Sequence, residues 1–510
     1  MTPCPHHGSF HPTAEPSGQA QPRPITQSRL SRAGELGAMI KTANGRHLDV
    51  AAAVLWPALD ELEDNRQLTD SPSSTAARTN KTAPGEITTI TTATMSERVF
   101  QLAGTCNNYP WGKKGRQSLA AQLCAKTPGT DFSIKDDEYY SEMWFGDYPD
   151  FPARKLSTGE LLKDVLQANK EKLLGSKVNK HMGGQLPFLP KILSIAKALP
   201  LQIHPNRDLA SKLHEKDPEK FTDDNHKPEI AVALSKFELF AGWKPLGEIA
   251  PVFAAVPELH QFLPSGTSPD SKWTDKTLRE VTRNLLKASP ETTKSVQSVL
   301  STSSTAKNIP DYMPSLLQRL QSQYGPDDAG SLVALLCMNF FTFAAGDAVY
   351  IPADGIHAYL AGDIVECMAR SNNVLNSGFC PRADRDNVDL FTDTLTFSQA
   401  HSRDDMYLPS KPLGKGSHQS RNGRTVVYAP PMSEFDMFKT DLQGPGDEDV
   451  LGAHEGPAVA IVTKGGGLLE ADGQQFDVKE GYIFFVAPGV EVTWKAGDGK
   501  DGLQVHTAAV

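Results

Sequence analysis

The chain has 510 residues, enough for about three domains, and a formal net charge of −10. That acidic balance argues against a nucleic-acid binder, and no apolar run approaches the roughly 20 residues a membrane span needs. The six cysteines, Cys4, Cys106, Cys124, Cys337, Cys367 and Cys380, form neither a CxxC pair nor a regular framework, which suits free thiols in a reducing, cytoplasmic compartment.

Residues 1–94 differ in texture from the rest. Pro, Ser, Thr, His and Gln dominate 1–32 and 71–94, and such segments bury too little apolar surface to offset ordering entropy, so a disordered or low-complexity extension is expected. One island at 48–62 has an amphipathic helical pattern interrupted by Pro57. The N-terminus lacks the basic-then-apolar layout of a secretory signal. From Val99 the chain becomes compact. Tyr109-Pro110-Trp111-Gly112 reads as a turn. Ser157 and Glu160 have capping-box spacing before an apolar face of Leu161, Leu162, Val165, Leu166, Leu173 and Leu174, with Gly175 as the expected helix end.

Short apolar strands follow. Ile192-Leu193-Ser194-Ile195, Leu201-Gln202-Ile203-His204 and the run after Glu229, Ile230 to Leu234, are three of them. A short helix starting near Asn206, with Leu209 and Leu213, separates the second from the third. In a strand, residues i and i+2 share a face, so Gln202 and His204 point together. Each alone reads as a polar group satisfied within a strand. Together with Glu229 on apolar strands they are hidden from water and need partners, and an imidazole, a carboxylate and an amide oxygen suit a divalent metal such as zinc. His357, just after the tight turn Pro352-Ala353-Asp354-Gly355, is a further ligand candidate.

Between 246 and 338 apolar residues recur at three and four: Leu278, Val281, Leu285 and Leu286, then Val296 and Val299, then Leu316, Leu317 and Leu320. This predicts a helical insertion. Strands return at Asn339, run from Phe341 to Pro352, and resume from Asp363 to Met368. The last part repeats the texture: Gly346 to Pro352 matches Gly481 to Pro488, but no histidine follows Pro488-Gly489. The reading is mainly β with a helical insertion: a cupin-like jelly-roll catalytic domain at 95–245 with 339–400, helices at 246–338, and a metal-free C-terminal jelly roll at 401–510.

Several segments, in order, resemble the type I mannose-6-phosphate isomerases (phosphomannose isomerases) of fungi and animals. They are Tyr109-Pro110-Trp111-Gly112-Lys113, Glu142-Met143-Trp144-Phe145-Gly146, LPFLPK ending at Lys191, LQIHPN, HKPE, GIHAYLAGD and VECMA. The resemblance covers 95 to the C-terminus. It implies one zinc per chain on Gln202, His204, Glu229 and His357, and interconversion of mannose 6-phosphate and fructose 6-phosphate through a cis-enediol. That reaction feeds GDP-mannose and glycan synthesis. The implied partner is a small sugar phosphate, and a cytoplasmic monomer is expected.

Proton transfer between C1 and C2 needs a base. Lys227, beside the expected zinc, is the first choice and His226 the competitor. Lys191 is assigned to substrate binding or proton transfer. Trp111, Glu142 and Tyr359 match cleft-lining positions, and Arg382, with Arg370 and Arg385 nearby, suits the phosphate. The family pattern S-D-N-V-V-R-A-G is here Ser371-Asn372-Asn373-Val374-Leu375-Asn376-Ser377-Gly378. Asn372 and Asn376 thus replace an aspartate and a catalytic arginine, and Pro200 a serine. Arg370 is the side chain expected to compensate for Asn376. The alternative is a catalytically weakened, metal-binding paralogue that still binds sugar phosphate. A cupin dioxygenase fits less well, since Glu229 lies 25 positions past His204.

Overall fold

The computed structural model describes residues 97–302, 309–397, 403–414 and 419–510. The expected N-terminal extension, with its helical island, lies outside them. The described chain is mainly β, in one ten-stranded and one eleven-stranded sheet, neither closed into a barrel, and one two-stranded sheet, with a run of consecutive helices between 246 and 337. This is a cupin-like arrangement with a helical insertion. Among the described residues no helix is long and apolar enough to cross a membrane.

The ten-stranded sheet carries the polar groups of interest. Its strands Met338–Phe343, Phe237–Trp243, His357–Ala369, Phe188–Ile195, Glu142–Trp144 and Thr105–Asn107 lie side by side in that order. Glu229–Ala233 and Leu201–Ile203 also pair with His357–Ala369. Every residue of Phe188–Ile195 is buried, because both faces are covered. Phe188 and Ile192 pack with Val459, Ile461 and Phe485 of the eleven-stranded sheet. Leu193 and Ile195 point the other way, into a cluster with Ala231, Leu239, Ile364 and Tyr359. Lys191 and Glu366 sit opposite one another in the ladder on that second face.

The eleven-stranded sheet is built mainly from residues 411–509, yet Val99–Ala103 lies within it, bonded to Ile483–Val486, and Arg154–Lys155 is its edge. The described chain therefore starts beside its own C-terminal strands. The matching runs 346–352 and 481–488 form the strands Ala348–Ile351 and Ile483–Val486, each entered through a positive-φ glycine, Gly346 or Gly481.

Three local expectations are corrected. Ser157 and Glu160 form no capping box. Gly159, at φ 75°, closes a turn in which Lys155 N–H bonds Glu160 O, and the helix starts after Leu161 with no side-chain cap. The apolar face expected as one helix is broken at Asn169, at φ −137°, between Leu162–Ala168 and a second helix from Lys170; Gly175, non-helical at φ 75° and ψ 155°, ends that second helix as expected, and Gly183, left-handed, ends the helical segment that follows to Met182. His357 and Asp363 belong to one strand, His357–Ala369, where two were expected, while the run 341–352 is split by a turn at 344–347. The helix expected from Asn206 is found as Arg207–Lys216, with the Asn206 side chain accepting from Leu209 N–H.

Gly362 allows the long strand to serve two sets of neighbours. Residues 357–361 pair with Phe237–Trp243, and 362–369 with Phe188–Ile195. Gly362 has φ 132°, and a Cβ there would lie 2.6 Å from Lys236 O. Both conditions exclude a side chain. Gly362→Ala is expected to destabilise the fold by more than about 1 kcal/mol, measured by urea unfolding; an unchanged midpoint would show that the bend tolerates a methyl.

Candidate metal centre and its cleft

His204, at the end of the Leu201–Ile203 strand, Glu229, first of Glu229–Ala233, and His357, first of His357–Ala369, converge at one end of the ten-stranded sheet. One ligand atom from each lies within 4.8 Å of the others, and all three residues are buried. His204 Nε2 is 3.1 Å from Glu229 Oε1 and His357 Nε2 is 3.5 Å from Glu229 Oε2. Neither Nε2 makes a hydrogen bond of acceptable geometry.

The far side of each ring explains this. His204 Nδ1 is 2.8 Å from Asn373 O, and His357 Nδ1 is 3.0 Å from Gly355 O. A nitrogen beside a carbonyl must carry the proton and donate it. Burial, and then the Lys227 charge, push the His204 pKa down to about 4, so this ring is neutral and its Nε2 carries a lone pair. Burial opposes charge on Glu229, but the Lys227 ammonium, 3.4 Å away, outweighs it and holds the carboxyl well below its usual range. Imidazole lone pairs thus face an ionised carboxylate in a dry site. Such a set repels itself unless a cation stands between its members, and two imidazoles plus a carboxylate fit a zinc-like ion.

Gln202 lies opposite His357 in the ladder on one side and opposite Asn376 on the other, so the three share a face. It is only partly buried, whereas the other three ligand candidates are fully buried. The Asn376 N–H donates to Asp386 Oδ2 at 2.7 Å. Lys227 is buried with Nζ 3.4 Å from Glu229 Oε1, and the buried Tyr359 hydroxyl donates to Glu229 Oε2 at 3.2 Å. Tyr359 therefore steadies the carboxylate and does not stand open in the cleft.

A second row adjoins the first. Lys191 Nζ lies 3.9 Å from Glu142 Oε1, 3.5 Å from Glu366 Oε2 and 4.3 Å above the Trp144 ring. Burial opposes its charge, but Glu142, Glu366 and Glu229 outweigh that and raise its pKa above the ordinary lysine value. The surrounding carboxylates thus favour Lys191 as a cation. Glu142 Oε2 accepts from Trp144 Nε1 at 2.6 Å and from Asn107 Nδ2 at 3.0 Å. Trp111 is half-buried against the same apolar face as Tyr359.

Glu366 lies within the VECMA segment, and sequence reasoning gives it no role. The available signal is an acid in the middle of the apolar run Ile364-Val365-Glu366-Cys367-Met368. Burial, then the Glu229 charge, push its pKa up to about 8. The folded protein therefore holds a proton there that the unfolded chain releases near the ordinary 4.5. Stability from this group is greatest at low pH and declines as pH climbs through that window. Glu366→Gln should flatten the decline, read from urea unfolding of metal-stripped protein at acid and mildly alkaline pH; an identical slope would remove Glu366 as its source.

The remaining expected residues stand apart from both rows. His226 Nε2 is 2.5 Å from Glu434 Oε1, so its ring is held by the C-terminal part of the chain. Arg370 pairs with the fully buried Asp147 and lies over the Tyr148 ring at 5.1 Å. That guanidinium is already committed, which corrects the expectation that it reaches toward Asn376. Asn372 has an exposed side chain, its N–H donating to Asp223 at 2.9 Å. Arg382 is exposed and pairs with Asp327 at 3.3 Å; Arg385 donates to Asp328 at 2.7 Å.

A buried two-imidazole, one-carboxylate group at the end of a cupin-like sheet, flanked by a lysine–glutamate row, defines the class: a mononuclear metal protein with an acid–base cleft. Comparison with known proteins narrows it. Residues 99–246 match the model of the phosphomannose isomerase type I catalytic domain. The mannose-6-phosphate isomerase of Aspergillus fumigatus is 37% identical over 419 residues, covering 76% of this chain and 91% of the relative. That of Saccharomyces cerevisiae is 35% identical over 425 residues, covering 79% and 97%. The chain belongs to the mannose-6-phosphate isomerase family. A crystal structure of the Salmonella typhimurium enzyme bound to substrate and a zinc atom aligns at TM-score 0.65 and 22% identity, over 81% of this chain and 99% of that one, which bears on the fold.

Proposed function

We propose that this chain is a zinc-dependent mannose-6-phosphate isomerase that interconverts mannose 6-phosphate and fructose 6-phosphate. The observation that carries it is the pair of unpartnered Nε2 atoms facing Glu229 in a chain of this family. His204, Glu229 and His357 would hold the ion, with Gln202 as the outer donor. When bound, the ion supplies Lewis-acid polarisation of the sugar carbonyl.

The chain's own residues do the rest. Lys227, beside Glu229 and inside the cleft, is assigned to moving the proton between C1 and C2 through a cis-enediol. His226 is the less suited base, since Glu434 engages its Nε2. Lys191, held as a cation, steadies negative charge on the substrate oxygens, with Glu142 and Glu366 fixing its ammonium. Trp111 lines the cleft, Arg382 is assigned to the phosphate, and Asn376 to contact with the sugar beside Gln202. Arg370, Tyr359 and Asn372 act through Asp147, Glu229 and Asp223 and are positioning residues.

The division into residues 95–245 with 339–400, 246–338 and 401–510 is the organisation we propose, the first segment housing the site. Every donor comes from one chain, which supports a monomer. The described cysteines are free thiols, which suits the cytoplasm, where the product would feed GDP-mannose synthesis.

The test is a coupled assay for fructose 6-phosphate formed from mannose 6-phosphate, with zinc-loaded and chelator-stripped protein. Zinc-dependent turnover is expected. Asn372 and Asn376 are what favour the weakened paralogue, and sugar phosphate binding without turnover in fully zinc-loaded protein would establish that reading instead.

A further inference from the structure

The segment 370–374 joins the strands His357–Ala369 and Leu375–Gly378 as an irregular loop. Three successive residues of it converge on one carboxylate. Asp223 Oδ1 accepts from Ser371 Oγ at 2.7 Å and from Asn373 Nδ2 at 3.0 Å, and Asp223 Oδ2 accepts from Asn372 N–H at 2.9 Å. Asn373 Nδ2 also lies 2.7 Å from Asp223 O and 3.1 Å from Asn225 O, and the residue is 1% exposed. Asn225 Nδ2 in turn donates to Arg370 O at 3.0 Å. Ser371 Oγ closes the loop by accepting from Asn373 N–H at 3.2 Å. The carbonyl so placed is the one that accepts the hydrogen bond from His204 Nδ1–H.

We infer that Asp223 is a positioning residue for His204: it fixes residues 371–373 so that the Asn373 carbonyl holds the imidazole with Nε2 turned toward Glu229 and His357. The inference rests on the proposed metal-dependent reading of the site. A backbone carbonyl in an irregular loop orients a ring only as well as the loop is held, and here one side chain holds most of it. Without that hold the His204 proton is free to sit on Nε2, where it would occupy the position of the ion. The same bonds give residue 372 its part: its backbone is used and its side chain faces solvent, so the exchange of aspartate for Asn372 leaves this anchor intact.

The experiment uses the full chain with Asp223→Asn, which keeps the size and removes the charge and one acceptor. Zn2+ affinity is read by chelator competition well below the melting temperature of the metal-free variant, and the visible spectrum of the Co2+-substituted protein reports ligand geometry. Affinity about 10–100-fold weaker, with an altered cobalt spectrum, is expected, and Asp223→Glu should recover part of it. Ser371→Ala, which removes one bond to the same carboxylate, carries the test if Asp223→Asn does not fold. Zn2+ affinity within about twofold of wild type and an unchanged cobalt spectrum in the folded variants would overturn the inference. A wild-type chain that binds no Zn2+ would instead overturn the metal reading beneath it.

Discussion

His357→Ala is expected to cost the protein both its metal and its turnover. The ring is fully buried, its Nδ1 is committed to Gly355 O, and its Nε2 has no other use in the fold. Removing a direct ligand should exceed the roughly 10–100-fold loss of metal affinity that follows loss of an outer partner. Turnover should fall by more than about 100-fold at zinc concentrations that saturate the wild type. Elemental analysis after dialysis, beside a far-UV spectrum to establish folding, separates loss of metal from loss of structure. A folded variant that retains a full complement of zinc would remove His357 from the ligand set.

Lys191→Met is expected to have the second largest effect. The substitution keeps much of the side-chain volume and takes the ammonium from between Glu142 and Glu366. Breaking a buried ion pair by removing one partner costs about 3–5 kcal/mol; above about pH 8, where wild-type Glu366 has lost its proton, Glu366 can limit that cost by taking one up. Loss of a fixed cation where charge develops should lower kcat by about 100–1000-fold. The double variant Lys191→Met, Glu366→Gln separates the two effects, since it should regain stability without regaining rate. Urea unfolding and steady-state kinetics on wild type and both variants provide the check. If the double variant recovered the rate, the Lys191 charge would be irrelevant to the chemistry and its role would be packing.

The convergence of His204, Glu229 and His357 was legible because its signals are local. Gln202 and His204 follow the strand period of two, Glu229 opens an apolar run, and His357 follows a turn marked by Pro352 and Gly355. The helices of the insertion were legible from their apolar spacing, and all of Leu278, Val281, Leu285 and Leu286 are buried. What was missed depends on contacts between distant positions. Asp147 and Arg370 are separated by 223 residues, and nothing in either neighbourhood announces the other. The pairing of Val99–Ala103 with Ile483–Val486 has the same character. Asp223 lies in an acidic loop that reads as solvated, and its link to His204 passes through a backbone carbonyl, which has no residue signature. The capping box failed for a local reason: Gly159 made a turn where Ser157 and Glu160 suggested a helix start. The substitutions at Asn372 and Asn376 were visible, but whether another cation replaced the missing arginine was not. The pairing of Arg370 with Asp147 answers that for Arg370 alone.

The most direct measurement is a stepwise removal of zinc from the purified chain, with bound metal and the rate of fructose 6-phosphate formation determined on each sample. The rate should fall in proportion to bound zinc, reach zero with the metal gone, and return on adding back one Zn2+ per chain. Turnover that persists in metal-free protein, or full activity that requires no metal at the His204, Glu229 and His357 group, would contradict the account.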